Sequence, residues 1–410
     1  MTQTIVLGAG MVGTGTALAL QAQGRDVLLI DRREPGRETS YGNAGIIQGE
    51  AVEPYALPRA LPDLVAAALG KHNQVDWRLT EAPTWAGPLW SYWRQSEESR
   101  HARISQIYAR LIRAALADHG PLIEAAGAGD LLRRDGFRQV YRSPAELAAT
   151  LRGAERLRAS YGVSFTAEDS AALARAEPDL RRPLAGSLLW HDAWSIADPG
   201  GLVSAYAALF QARGGQIATG DAASLTRDGA GWQVDTADGP HTAQEVVIAL
   251  GPWSPQVLAP LGLRIPMVWK RGYHLHFNGT GPRLPLIDAE NATVLSPMRA
   301  GVRVLTGAHI TTPGTPARQR QMTRAGRAAA DLFDIGQPVE PAPWSGNRPC
   351  LPRMLPIVGA APGLPGLWLN FGHGHQGFTL GPTTGRVLAD LMTGRPAEPD
   401  LAHALAWPAR

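Results

Sequence analysis

The sequence predicts a mixed α/β fold, and three observations near its N-terminus predict it. Apolar residues 5–7 run into the turn G-A-G-M-V-G at residues 8–13. Helix-forming residues follow over 16–20, and a second apolar run, 27–30, ends at Asp31. A strand, a G-x-G-x-x-G turn, a helix and a strand that ends on an acid form the β-α-β unit typical of dinucleotide binding.

Each residue type in this unit has a physical role. Gly8 makes the tight turn, Gly10 lets a pyrophosphate approach the backbone, and Gly13 lets the helix pack closely on the strand. The helix N-terminus offers free N–H groups and a partial positive charge to phosphates. Asp31 follows Gly13 by 18 residues and can accept hydrogen bonds from ribose hydroxyls. The alternative is a glycine-rich turn that binds nothing.

Composition excludes several classes of protein. The 410 residues carry a net charge of +3, with 44% hydrophobic and 18% charged residues, which is typical of a globular protein of two or three domains with a large buried core. No dense basic run points to nucleic acid. The single cysteine, Cys350, excludes an intrachain disulfide and favours a reducing compartment. With a first strand near Thr4 and no apolar stretch of ~18 residues, we expect a cytoplasmic protein without a cleaved leader. Peripheral contact with the inner face of a membrane stays open.

Further elements follow from periodicity and from turn residues. We predict a helical segment over 51–130, interrupted by prolines and including a helix at 101–119. Other predicted helices cover 144–161, 170–176, 202–212, 323–333 and 383–393. Predicted strands cover 136–141, 188–190, 216–219, 223–226, 231–236, 245–250 and 367–370, with a β-rich region at 264–312. The N-terminal unit cannot complete a sheet alone, so its remaining strands must come from 216–250 and 367–370. The domains are therefore expected to interleave.

Two further segments carry candidate binding features. Residues 246–254 form an apolar strand that ends in a small-residue turn, which favours a second contact to the same dinucleotide. Residues 372–382 place four glycines before a helix, so that its N-terminus can face the polar or anionic edge of a ring-shaped ligand. An ordinary buried strand and an ordinary loop are the alternatives.

Arg348 lies between glycine and proline in the segment G-N-R-P. A rigid backbone there would hold a planar guanidinium suited to a carboxylate, and a structural salt bridge is the alternative. The H-x-H pairs at 274/276 and 373/375 lack a nearby acid or cysteine to complete a metal site, so we expect no metal. Cys350 is interpreted as a small buried hydrophobe rather than a nucleophile.

Four separated motifs together resemble one superfamily. They are residues 8–13 with Asp31, residues 39–45, residues 246–254, and residues 346–359 with 372–385. The chain resembles the FAD-dependent D-amino-acid oxidases and dehydrogenases, and within them the bacterial D-amino-acid dehydrogenases and D-hydroxyproline dehydrogenases. The resemblance implies a glutathione-reductase-like FAD-binding domain (1–50, 200–262 and 343–410). It also implies a β-rich substrate domain (51–199 and 263–342) interleaved with it.

The resemblance also implies roles for individual residues. The residues expected to hold a non-covalent FAD are Gly8, Gly10, Gly13, Asp31, Arg32, Thr39, Ser40, Asn43, Ala44, Ala223, Gly251, Gly374, Gly377, Phe378 and Thr379. Arg348 matches the arginine that binds the substrate carboxylate, Tyr273 matches a G-Y element near the substrate, and Tyr55 falls where a lid aromatic is common. His375 resembles the hydroxyproline-type members. Arg353 departs from the family, which usually has an acid there, and Cys350 does not align with the flavin-tethering cysteine of sarcosine oxidases.

The resemblance implies oxidation of a D-amino acid, with hydride moving from Cα to flavin N5 and electrons passing to a protein or quinone acceptor. A D-proline or D-hydroxyproline substrate is one option. The alternatives are a glycine- or sarcosine-type oxidase that releases hydrogen peroxide, an NAD(P)-dependent dehydrogenase, and a non-catalytic subunit that keeps only the nucleotide fold. The sequence leaves the oligomeric state open.

Overall fold

The computed structural model describes residues 3–59, 75–77, 79–396 and 398–408. It confirms the N-terminal unit, with strand β1 at Thr4–Leu7, helix α1 at Met11–Ala22 and strand β2 at Val27–Asp31. Alternate side chains of β1 belong to two different apolar clusters, and all of them are fully buried. A parallel sheet covered on both faces buries its strands in this way, which explains the uninterrupted apolar runs.

The first sheet is centred on β1. In spatial order its strands are β12 (Gly239–Ala243), β11 (Gly231–Thr236), β10 (Gln216–Asp228), β2, β1, β13 (Glu245–Ile248), β21 (Leu367–Phe371) and β20 (Ile357–Ala360). The run from β10 to β21 is parallel, and β11, β12 and β20 are antiparallel additions. The predicted contribution of 216–250 and 367–370 to this sheet is confirmed. The two strands predicted at 216–219 and 223–226 are one strand with an irregularity between Asp221 and Thr226.

A second sheet contains the predicted β-rich region. Its strands run in the order β4 (Val75–Trp77), β18 (Ala308–Thr311), β14 (Val268–Phe277), β17 (Gly301–Leu305), β16 (Thr293–Met298), β15 (Leu286–Asp288), β6 (Phe137–Tyr141), β8 (Gly186–Trp190) and β7 (Phe165–Asp169). Strand β19 (Trp344–Cys350) pairs antiparallel with β14. A small sheet joins β3 (Ile46–Gln48), β9 (Ala193–Ile196) and β5 (Leu132–Arg133).

Helices cover both sheets. The remaining ones are α2 (Ala82–Gln95), α3 (Glu98–Ala125), α4 (Pro144–Tyr161), α5 (Ser170–Ala176), α6 (Pro199–Ala212), α7 (Ser254–Leu258), α8 (Arg320–Leu332), α9 (Gly377–Thr393) and α10 (Pro399–Leu405). None of the helices in the described residues is both long and apolar enough to cross a membrane.

The helical prediction over 51–130 is wrong at its start. Residues 51–59 form no helix, because Pro54 and Pro58 remove amide donors and disfavour the helical conformation of the residues before them. The part of this prediction that covers 60–74 lies outside the described residues. Helix α3 is longer than the predicted 101–119, and it continues through Pro121.

Helices α1 and α9 touch through their backbones. A Cβ atom added at Gly381 would lie 2.8 Å from the carbonyl oxygen of Met11, and one at Gly385 would lie 2.7 Å from the amide nitrogen of Thr16. Only glycine allows this approach. The N-terminal turns of both helices consequently open on the same cavity.

Candidate functional site

A cavity of about 2060 Å³ runs from the carboxyl end of β1 to the paired strands β14 and β19. One end is lined by the glycine-rich turn and by residues 39–44. The other end is lined by residues of β14 and β19, by Tyr55 and by the loop before α9. The carboxyl edge of a parallel sheet is where open α/β folds bind their ligands, so the cavity joins the predicted nucleotide and substrate regions.

The glycine-rich turn has the geometry that its sequence predicts. Gly8 has φ +106°, and a Cβ there would lie 2.6 Å from the carbonyl oxygen of Ala249. A Cβ at Gly13 would lie 1.7 Å from the carbonyl oxygen of Gly8, so α1 packs on its own turn through a position that only glycine can occupy. Gly13 therefore shapes the turn without lining the cavity, whereas Gly8 and Gly10 line it.

Asp31 lies at the cavity wall and also holds the turn together. Its Oδ2 accepts a hydrogen bond from the Ala9 amide at 2.6 Å, and its Oδ1 accepts one from the Arg33 amide at 3.1 Å. Burial raises the pKa of this carboxyl, an effect that these backbone hydrogen bonds partly oppose. Arg32, also at the cavity, donates to Glu38 and lies 4.5 Å over the ring of Trp253.

The other nucleotide-site predictions divide into two groups. The predicted residues that line the cavity are Thr39, Ser40, Asn43, Ala44, Ala223, Gly251, Gly374, Gly377 and Phe378. Ser40 Oγ accepts a hydrogen bond from the Met11 amide at 3.0 Å, which joins residues 39–44 to the first turn of α1. Thr379 is outside the lining set. Its hydroxyl accepts a hydrogen bond from the Gln48 amide at 3.2 Å, so it holds β3 against α9.

Helix α9 begins six residues before its predicted start at residue 383. Pro382 lies inside it and has no amide to donate to the carbonyl of Phe378. His119 of α3 supplies the missing donor, since its Nε2 lies 3.1 Å from the carbonyl oxygens of both Phe378 and Thr379. Nδ1 of the same ring then accepts from the Tyr206 hydroxyl at 2.9 Å. A tertiary contact therefore allows the helix to start early and to present its first turn to the cavity.

At the substrate end, Arg348 lies on β19 opposite Lys270 of β14. Its guanidinium lies flat over Gly272, where an added Cβ would be 2.7 Å from Nη2 and 3.0 Å from Cζ. Nη1 donates to the Gly307 carbonyl at 3.4 Å. In the described part of the chain no carboxylate pairs with Arg348, and burial lowers its pKa. The described residues therefore contain no carboxylate with which Arg348 forms a structural salt bridge.

Tyr55 and His375 face each other beside Arg348. Their ring centroids are 4.6 Å apart. Tyr55 is 66% exposed because its ring projects into the cavity, although the surrounding protein raises the pKa of its phenol. Burial, reinforced by the charges of Arg348 and Lys270, lowers the pKa of His375 to about 3. The imidazole is therefore neutral at physiological pH.

Tyr273 is not brought together with Arg348. Successive side chains of a strand point to opposite faces, and Arg348 shares its face with Lys270 and Gly272 rather than with Tyr273. The Tyr273 hydroxyl is hydrogen-bonded to His309 Nδ1 at 2.8 Å and accepts from the Arg318 amide. Tyr273 is among the residues that line the cavity, but its hydroxyl is engaged by His309 and by the Arg318 amide.

Lys270 is a charged cavity residue that the sequence does not single out as functional. It lines the cavity, and its Nζ lies 4.5 Å over the ring of Tyr92. The signal was present, since Lys270 and Lys71 are the only two lysines of the chain, and Lys270 stands two residues before Gly272. Its closeness to Arg348 depends on strand register, which the sequence did not reveal.

One histidine of each H-x-H pair is hydrogen-bonded to other side chains. Glu340 contacts Nδ1 of His276, and Arg303 Nε donates to its Nε2 at 2.9 Å. His373 Nε2 is hydrogen-bonded to the Thr384 hydroxyl at 2.9 Å. No group of three or more histidine, cysteine, aspartate or glutamate side chains able to hold a metal ion occurs among the described residues.

Comparison with known proteins places these features in context. Residues 3–391 match the family described as FAD dependent oxidoreductase (DAO). A D-amino acid dehydrogenase of Cereibacter sphaeroides is 33% identical over 423 residues, covering 96% of this chain and 92% of the relative. A D-amino-acid oxidase of Bradyrhizobium diazoefficiens is 30% identical, covering 97% of this chain and 96% of the relative. The solved glycine oxidase of Geobacillus kaustophilus superposes with a TM-score of 0.76 at 21% identity, covering 100% and 99% of the two chains.

Proposed function

Because this chain belongs to the family of FAD-dependent oxidoreductases, we propose that it is a D-amino-acid dehydrogenase. The observation that carries the proposal is the guanidinium of Arg348, which faces the cavity without a carboxylate partner among the described residues. The names of relatives at 30–33% identity over nearly the whole chain support a D-amino acid as the substrate.

The residues of the cavity fit FAD. The first turns of α1 and α9 leave amides without intrahelical partners, and Gly10, Val12, Gly377 and Phe378 line the same cavity. Such helix N-termini favour the pyrophosphate and an electron-rich ring edge, and Asp31 offers a carboxylate to ribose hydroxyls. We propose the domain boundaries 1–50, 200–262 and 343–410 for FAD and 51–199 and 263–342 for the substrate.

We propose that the FAD is not covalently attached. Cys350 lines the cavity, and burial raises the pKa of its thiol, which disfavours the thiolate that would attack a flavin ring. Extraction of the flavin by acid precipitation tests this point, since a tethered flavin would stay with the protein pellet.

Arg348 would bind the substrate carboxylate by two charge-assisted hydrogen bonds, and this would orient Cα. A bound FAD would supply the two-electron oxidation of the Cα–H bond. The electron pair of a neutral amine would assist the loss of hydride from Cα and leave an iminium cation, which water would hydrolyse to a 2-oxo acid and an ammonium ion. Neutral His375 is a poor base at its low pKa, so the amine would enter the site deprotonated. Tyr55 would cover the bound substrate.

The test is anaerobic mixing of the yellow holoenzyme with matched D- and L-amino acids, including D-proline and D-hydroxyproline. We expect D-isomers to bleach the flavin absorbance near ~450 nm and L-isomers to leave it. Arg348→Met should lower kcat/KM by roughly 100-fold, as expected for loss of a charged bidentate contact, and Arg348→Lys should recover part of it.

Two outcomes would contradict the proposal. Full activity of Arg348→Met would remove the carboxylate role, and no bleaching by any D-amino acid would remove the activity. The electron acceptor is tested separately. We expect a quinone or dye to be reduced in steady turnover, whereas stoichiometric hydrogen peroxide in air would identify an oxidase instead.

A further inference from the structure

We propose that the substrate carries a second carboxylate, as in D-glutamate or D-aspartate, and that Lys270 binds it. This inference rests on the proposed function and goes beyond it, because it names the class of side chain that the site selects. The observation that supports the inference is a second cation, Lys270, on the same face of the sheet as Arg348.

The first step is strand register. Lys270 and Arg348 are directly paired across β14 and β19, which sets their Cα atoms about 5 Å apart. Paired residues of antiparallel strands present their side chains on the same face, and both residues line the cavity. Their guanidinium and ammonium groups can therefore contact one molecule.

The second step is electrostatic. Both cations act on the same three cavity groups, lowering the pKa of His375 and opposing the rise in the pKa of Tyr55 and of Cys350. Both charges are thus directed at one small volume. Within the described residues neither Lys270 nor Arg348 forms an ion pair with a carboxylate. Two cations that share a cavity repel each other, and a dianion relieves this repulsion.

The third step concerns how Lys270 is positioned. Its Nζ lies 4.5 Å over the ring of Tyr92, a cation–π contact that orients an ammonium while leaving its N–H donors available. The Tyr92 hydroxyl donates to the carbonyl of Tyr55 at 2.5 Å. The tyrosine that orients Lys270 is thereby tied to the segment that covers the substrate end. Lysine is a point charge with a flexible stem, which suits a carboxylate at the end of a variable side chain.

The experiment compares D-glutamate with D-glutamine, which has nearly the same shape and no second charge. We expect the wild-type holoenzyme to prefer D-glutamate in kcat/KM. In Lys270→Met the glutamate-to-glutamine ratio should fall by about 10- to 100-fold, the loss typical of a charged hydrogen bond, and Lys270→Arg should restore part of it. Arg264→Met, which removes a charge from an exposed position outside the cavity, should leave the ratio unchanged.

A binding measurement separates this inference from the proposed function. Glutarate and pentanoate have the same number of carbons and no amine, so neither can be oxidised as an amino acid. We expect wild-type holoenzyme to bind glutarate more tightly in calorimetry, and Lys270→Met to lose the difference. This result would support the dianion site even if no amino acid reduced the flavin.

Three results would overturn the inference. The first is a wild-type preference for D-glutamine, for D-proline or for another amino acid without a second acid. The second is an unchanged glutamate-to-glutamine ratio in Lys270→Met. The third is equal binding of glutarate and pentanoate. Reduction of the flavin by neutral D-amino acids alone would leave the proposed function intact and remove only the acidic specificity.

Discussion

The guanidinium of Arg348 rests on the backbone of Gly272, and a side chain at Gly272 would occupy its place. An added Cβ would lie 2.7 Å from Nη2 of Arg348. Gly272 belongs to β14 and Arg348 to the paired strand β19, so the arginine side chain packs directly on the backbone of the glycine. Because the end of an arginine side chain can move, a methyl group at Gly272 displaces the guanidinium without breaking the strand.

We therefore predict that Gly272→Ala lowers kcat/KM for the D-amino-acid substrate by roughly 10- to 100-fold, since a charged hydrogen bond is worth about 1.5–3 kcal/mol. The loss should appear mainly as an increase in KM, with FAD content unchanged. Steady-state kinetics with a dye acceptor measure it. Gly153→Ala, in helix α4 with no atom near the added Cβ, is the control and should keep full activity. Equal kinetics in the two variants would contradict the prediction.

A second prediction concerns Asp31. Its carboxylate accepts from the Ala9 amide at 2.6 Å and is proposed to bind the ribose. Asp31→Asn keeps the shape and removes the charge, so we expect FAD affinity to fall by about 10-fold or more. Fluorescence titration of the apoprotein with FAD measures this. Asp228→Asn, at the exposed end of β10, should bind FAD normally. Unchanged affinity in Asp31→Asn would remove the nucleotide role of this acid.

A third prediction concerns the buried His119. Leucine at this position removes the Nε2 donor, and the carbonyl of Phe378, which Pro382 deprives of a helical partner, is left without one. We expect His119→Leu to lower the free energy of unfolding by about 2–4 kcal/mol, and His119→Gln, which keeps a donor, to lower it less. Urea denaturation at pH 7 measures both. Equal losses in the two variants would contradict the hydrogen-bond explanation.

The same histidine should make the protein sensitive to acid. Burial lowers the pKa of His119 to about 4 from its usual 6.5, so the unfolded chain takes up this proton first as the pH falls. The stabilisation is complete above pH ~6.5 and decreases towards pH ~4, by up to about 1.4 kcal/mol per pH unit. His119→Gln should therefore show a shallower loss of stability between pH 6.5 and 5 than the wild type. An identical slope would contradict the prediction.

A fifth prediction concerns Glu50, whose contribution to stability should depend on pH in the opposite direction. Burial raises the pKa of Glu50 to about 8 from its usual 4.5, so the unfolded chain loses this proton first as the pH rises. The contribution of Glu50 to the free energy of unfolding therefore decreases between pH ~4.5 and ~8. Glu50→Gln does not titrate, so the difference in free energy of unfolding between this variant and the wild type should shift in favour of the variant by on the order of 1–3 kcal/mol from pH 5 to pH 8. Glu53→Gln, which breaks an ion pair with Arg156, should cost the same at both pH values. Parallel behaviour of the two variants would contradict the burial of a neutral Glu50.

The elements that sequence reasoning located correctly share one property: their signal is local. The turn at Gly8, the strand that ends at Asp31 and helix α4 depend on residues within a few positions of each other. The start of helix α9 could not be located in this way. Pro382 predicts a boundary, and the helix passes through it because His119, more than 250 residues earlier in the chain, satisfies the carbonyl that Pro382 leaves free.

In the candidate site too, the features with a local signal were predictable and the long-range contacts were not. The dinucleotide turn and the arginine in G-N-R-P could be predicted from the residues next to them in the sequence, because tight turns and helix N-termini are short-range structures. The pairing of Lys270 with Arg348, and the turning of the Tyr273 hydroxyl to the far face, follow from the register of β14 against β19. Register is set by packing between distant segments, and a shift of one residue would exchange the two faces. Local chemistry therefore specified which groups are present, and only the folded sheet specified which of them meet.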